Sequence, residues 1–188
     1  MKNNISLVNV LIPTYGINTH YKNIALVLFG TLILAISSKV QVSFWPVPMT
    51  MQTFVVFIIG MSYGSRLAFS TLIVYLIEGA LGLPVFAKGG GLFYLIGPTA
   101  GYLYGMLIAA GVMGFFAERG YARSYIKSIL PLLLGTIIIF TFGVAYLGSI
   151  IGYDKALIAG LYPFILSELF KIALAIALIP TIWKYTNK

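Results

Sequence analysis

Three ionisable residues stand where an oily chain has least use for them: Glu78, Glu168 and Lys171, each inside an apolar run. A charge at the centre of a bilayer costs about 3 kcal/mol on insertion scales, so such residues face a bundle interior or water. Glu168 and Lys171 are three apart and share a helix face, and Tyr75 and Glu78 repeat that spacing. A carboxylate accepts hydrogen bonds and an ammonium donates them. Side by side, they match a small guest offering N–H on one edge and C=O on another. The plainer reading is an ion pair that neutralises itself. Glu78, near the outer end of its run, is as well explained by water at the interface. Spacing alone leaves both alternatives open.

A second group is Lys88 followed by Gly89, Gly90 and Gly91, in "GLPVFAKGGGL" between two apolar runs. Glycine allows backbone angles that other residues avoid and lets main-chain N–H groups come close to a ligand. With Lys88 beside them, those groups suit an anion. A flexible linker is the competing reading, but the apolar neighbours Phe86, Leu92, Phe93 and Tyr94 favour a loop that packs as a lid. Gln52, after Pro46 and Pro48, starts a short apolar run, where an amide either caps a helix or reads a polar group. Trp45, Phe86, Phe93 and Tyr94 suit the walls of a pocket or anchors at the membrane interface.

Other chemistry finds little support. The chain has no cysteine and one histidine, His20, which sits among polar residues. No metal site or cofactor is expected. Phosphate-binding, HExxH and Ser–His patterns are absent from the sequence. Glu168 and Lys171 alone are a poor basis for an enzyme. Uphill transport would draw its energy from a partner or an ion gradient.

The elements that must hold these residues follow from composition. Of 188 residues, 60% are hydrophobic and 9% charged. A soluble domain carries charge on about a quarter of its residues. The surplus of apolar side chains predicts an all-α integral membrane protein. Six runs emerge: Asn23–Val42, Thr50–Tyr63, Arg66–Leu81, Thr99–Phe116, Ile126–Ile151 and Leu157–Trp183. They predict six transmembrane helices in one compact bundle. The second is short, so neighbouring protein must shelter its flanks. Gly97, Gly101, Gly105 and Ala109 make a stripe of small residues, which favours close helix packing.

The net charge of +8 does not predict nucleic-acid binding, because the basic residues are scattered singly. They sort by side instead. Lys2, Lys22, Arg66, Arg119, Arg123, Lys127, Lys184 and Lys188 fall on the side of the termini. Lys39, Lys88 and Lys155 fall on the other. Eight against three predicts cytoplasmic termini in a multi-pass protein of the plasma membrane. Residues 1–22 are too polar for a cleaved signal peptide, and Ile5–Ile12 suits a short interfacial helix.

Four stretches in order resemble the BioY family: "WPVPMTMQTF", "YLIEGALGLPVFAKGGG", "GPTAGYLYG" and "PFILSELFK". The resemblance spans nearly the whole chain. It implies one S-component domain over 1–188, the membrane subunit that captures biotin in an energy-coupling-factor vitamin transporter. It further implies a transmembrane coupling subunit and two cytoplasmic ATPases as partners. By the same resemblance, Glu168 meets the ureido N–H groups, and Lys171 meets the ureido carbonyl or holds Glu168. Gln52 and Tyr75 assist at the ring, and Lys88 with the N–H groups of Gly89–Gly91 meets the valerate tail; Glu78 and Phe93 are counted in the ligand-binding set without a fixed place. The reverse placement of head and tail stays open. The chain departs from the family pattern twice. Glu168 stands where Asp is usual, and Gly30, Thr31 and Ala35 stand where alanines four apart pack on the coupling subunit. A sibling S component for another vitamin and a self-contained carrier or channel for a small organic anion are the alternative functions.

Overall fold

The computed structural model describes residues 6–12 and 18–186. Lys2, Ile5 and Lys188, used in the reading above, lie outside the described residues. Hydrocarbon offers the backbone no hydrogen-bond partners, so an apolar chain satisfies its own peptide groups in helices. The helices are α1 (Leu7–Leu11), α2 (Thr19–Lys39), α3 (Gln52–Tyr63) and α4 (Ser65–Ala80), followed by α5 (Ala100–Glu118). The chain continues through α6 (Tyr125–Ile151), α7 (Tyr153–Gly160) and α8 (Ile165–Thr186). Among the described residues, α2, α5, α6 and the segment Tyr153–Thr186 are long and apolar enough to cross a membrane. At 12 and 16 residues, α3 and α4 are shorter.

The small residues of α5 explain why it packs at the centre, against α3, α4 and α6. A Cβ on Gly101 would lie 2.4 Å from the Phe142 carbonyl oxygen, and one on Gly105 would lie 2.8 Å from the Ile139 Cα. At the other end, a Cβ on Gly114 would lie 2.4 Å from the Ser65 nitrogen. Backbones this close exclude side chains, so the stripe serves helix packing as expected. The turn from α3 to α4 rests on Gly64, whose φ of +83° favours glycine. Arg66 lies in the first turn of α4.

Three features differ from the sequence reading. A short antiparallel hairpin, β1 (Gln41–Val42) and β2 (Met49–Thr50), precedes α3. Leu7 and Val8 of α1 are buried in the bundle, while Leu11 and Ile12 stay exposed, so one end of this segment packs against protein. The last run is not one helix: Leu161 leaves helical geometry and Tyr162–Phe164 forms a 3-10 turn. Pro163 lacks the N–H that would continue the α7 ladder and instead sits at the start of the new turn, where a missing N–H costs nothing. The break puts Glu168 in the first turn of α8, where the positive end of the helix dipole favours a carboxylate.

Candidate ligand-binding site

A cavity of about 520 Å³, its open mouth included, lies where β2, α3, α5, α6 and α8 converge. One side is polar. Glu168 and Lys171 of α8 line it with Gln52 and Thr53 of α3. Both charged residues are 3% exposed. Lys171 Nζ donates to Glu168 Oε1 at 2.6 Å, to Thr53 Oγ1 at 2.9 Å and to the Thr50 carbonyl at 2.7 Å. The Thr53 hydroxyl donates in turn to Glu168 Oε1 at 2.8 Å. An ammonium has three donors, so Lys171 is fully engaged. Glu168 Oε2, on the same carboxylate, is buried without a hydrogen-bond partner. A buried acceptor left in this state is costly, and a donor brought to it recovers that cost.

The remaining walls are apolar. Phe86 and Tyr94 stack with ring centroids 4.8 Å apart, and Phe140 meets Phe164 at 5.9 Å. Met106 and Ile139 add to the apolar lining. Behind the polar side, Gln52 Nε2 donates to the Tyr75 hydroxyl at 2.7 Å, which donates to the Val85 carbonyl at 2.8 Å. Tyr75 is fully buried and acts by fixing Gln52 from outside the lining.

The glycine-rich loop covers the cavity, but not as the sequence suggested. Phe86, Ala87 and Tyr94 line it, whereas Lys88 is exposed and Gly89–Gly91 do not reach it. The Gly89 N–H donates to the Phe86 carbonyl at 3.2 Å and the Gly91 N–H to the Gly79 carbonyl at 2.7 Å. These N–H groups close the loop on itself, so they are not spare donors for an anion. A Cβ on Gly90 would lie 2.1 Å from the Leu83 carbonyl oxygen, which explains the need for glycine there. Three successive loop carbonyls are held by the end of α2 and the hairpin. Ser38 Oγ donates to Val85 at 2.8 Å, Lys39 Nζ donates to Phe86, and Gln41 Nε2 donates to Ala87 at 3.2 Å.

Other expected positions fall elsewhere. Glu78 lies on the α2–α4 contact, 3.0 Å from Thr31 Oγ1, and does not line the cavity. Phe93 and Trp45 are 86% and 82% exposed, outside the pocket walls. Gly30 and Thr31 are buried, and a Cβ on Gly30 would lie 2.6 Å from Thr71 Cγ2. Ala35 packs on the core. The expected docking triplet thus faces the bundle, because its small residues let α4 approach. Thr53 was missed in the sequence. Its signal was a hydroxyl next to Gln52 at the start of an apolar helix.

A lipid-compatible helical bundle around an aromatic cavity, with one buried charge pair at its side, defines a membrane binder of a small polar molecule. The chain belongs to the BioY family, whose family model matches residues 7–188. It is 36% identical over 156 residues to the Pyrococcus horikoshii protein named "Probable biotin transporter BioY", covering 82% of this chain and 92% of that one. The Thermotoga maritima "Biotin transporter BioY" is 33% identical over 147 residues, covering 77% and 86%. The fold is similar to the crystal structure of the S-component for biotin from an ECF-type ABC transporter. That match has a TM-score of 0.77 and 25% identity over 89% of this chain and 93% of the other. These relatives are named as transport proteins, not enzymes.

Proposed function

We propose that this chain is the S component that captures biotin on the extracellular side for an energy-coupling-factor transporter. The observation that carries the reading is the unpartnered Glu168 Oε2 beside a fully engaged Lys171. A spare acceptor recruits a donor, and the ureido ring of biotin presents two N–H groups. The anionic tail is repelled by the same carboxylate, which supports a head-inward pose with the tail toward the mouth. Lys171 then serves by holding Glu168 in place. Gln52 offers the ring an amide, and Phe86, Tyr94, Phe140 and Phe164 cover the apolar parts of the ligand.

Residues 1–188 form one domain in this reading, with six membrane passages and both termini cytoplasmic. The cation asymmetry between the two sides supports that orientation. Energy comes from a transmembrane coupling subunit and two cytoplasmic ATPases, since the chain carries no nucleotide-binding motif of its own. Calorimetric titration of purified, vitamin-free protein tests the assignment. Saturable heat with biotin and none with other vitamins is expected. A flat trace from folded protein overturns it.

A further inference from the structure

We propose that the end of the bundle opposite the biotin cavity holds one anionic phospholipid, with its phosphate at Arg66 and an acyl chain between α2 and α4. Two adjoining cavities carry the inference. The first, about 490 Å³, is polar and includes Ser6, Asn9, Asn23, Arg66 and Glu118 in its lining. The second, about 820 Å³, is an apolar groove along α2 and α4, walled by Ile24, Val27, Leu28 and Val74. They share Asn23, Arg66 and Leu67, so polar and apolar compartments meet at one guanidinium.

The polar compartment offers donors with nothing to bind. Among the described residues, the Arg66 side chain makes no hydrogen bond or ion pair, although the guanidinium is the group best matched to phosphate. Ser6 is 5% exposed and its Oγ has no partner. Asn9 Oδ1 accepts from Lys22 Nζ at 2.8 Å, which leaves the Asn9 amide N–H groups to donate. The carboxylate in this compartment, Glu118, is turned to the Ser65 N–H at 2.8 Å. Lys22, outside the lining, adds a second positive charge beside it through its bond to Asn9.

The groove decides between a soluble anion and a lipid. A free phosphate gains nothing from Ile24, Val27, Leu28 and Val74, whereas an acyl chain covers them. A helix from another protein would fill the groove but leave the Arg66 and Ser6 donors unmet. This site is independent of the biotin reading, because α3 separates Gln52 at the cavity from Tyr63 beside Arg66.

Native mass spectrometry of the delipidated full chain tests it, with dioleoyl phosphatidylglycerol, dioleoyl phosphatidylcholine and inorganic phosphate as probes. One phosphatidylglycerol should bind ahead of both other probes. Arg66→Gln should weaken that binding roughly fivefold, the effect of one basic group at an anionic surface, and Arg66→Lys should restore most of it. Ser70→Trp should weaken it by filling the groove, in protein whose melting temperature and biotin titration are unchanged. Equal binding of the two lipids, or no effect of Arg66→Gln, overturns the proposal. Phosphate binding as tightly as the lipid makes this a soluble-anion site and overturns it. So does Ser70→Trp blocking assembly with the coupling subunit while lipid binding persists, which assigns the groove to a protein helix.

Discussion

Lys171 Nζ sits 2.6 Å from Glu168 Oε1 while Oε2 of that carboxylate stays buried and unpartnered. One oxygen is therefore held and the other is available. An ion pair that merely neutralised itself would have no reason to leave an acceptor open beside a cavity.

We expect Glu168→Ala to remove high-affinity biotin binding while the protein still folds. Truncating one member of a desolvated charge pair costs about 2–5 kcal/mol, or roughly tens- to thousands-fold in affinity. Calorimetry on purified protein reads the loss. Wild-type affinity would take Glu168 out of the site.

Lys171→Met should destabilise the fold by about 3–5 kcal/mol, because it strands Glu168 as a buried charge. Adding Glu168→Gln should recover much of that stability without recovering biotin binding. Thermal unfolding in detergent compares the two variants. A double variant no more stable than Lys171→Met would refute the coupling.

Tyr75→Phe removes the hydroxyl that joins Gln52 to the Val85 carbonyl. It frees the Gln52 amide and leaves Ser38 alone on Val85, at a cost of about 1–3 kcal/mol for buried groups left unmet. Faster biotin dissociation in stopped-flow measurements is expected. An unchanged rate would mean that neither the Gln52 amide nor the covering loop controls retention.

Gly79→Ala puts a methyl 2.0 Å from the Phe86 ring, so the ring must leave its notch. Overpacking of this kind costs about 1–3 kcal/mol. Biotin binding should weaken, and the loss should not add to that of Phe86→Ala, since both act through one ring. Fully additive losses in a double-mutant cycle would show that Gly79 acts some other way.

Helical spacing put Glu168 and Lys171 on one face and residue type singled out Gln52, but only the packing of α3 against α8 shows that all three line one cavity. The stripe from Gly101 to Ala109 was legible from spacing as well. Tyr75 was found, but its distance from the cavity was not, since only packing sets the layer a side chain occupies. Lys88 and Phe93 looked like ligand contacts from composition. The loop's internal bonds at Gly89 and Gly91 turn that stretch outward. Glu78 finds Thr31 across 47 positions of sequence, a pairing that no local pattern encodes. The break at Pro163 did have a signal, but continuous hydropathy on both sides hid it. Strands of two residues, as in the hairpin, are too short to show any alternation.

The brevity of α3 has a consequence for the distance a captured molecule still has to travel. Its 12 residues span about 18 Å, against about 30 Å of hydrocarbon in a typical bilayer. In the proposed orientation, with the inner end of α3 at the cytoplasmic boundary, a vitamin seated at Gln52 lies about 12 Å below the outer edge of the hydrocarbon. The remaining passage, about 18 Å along α3, is the longer part of the crossing.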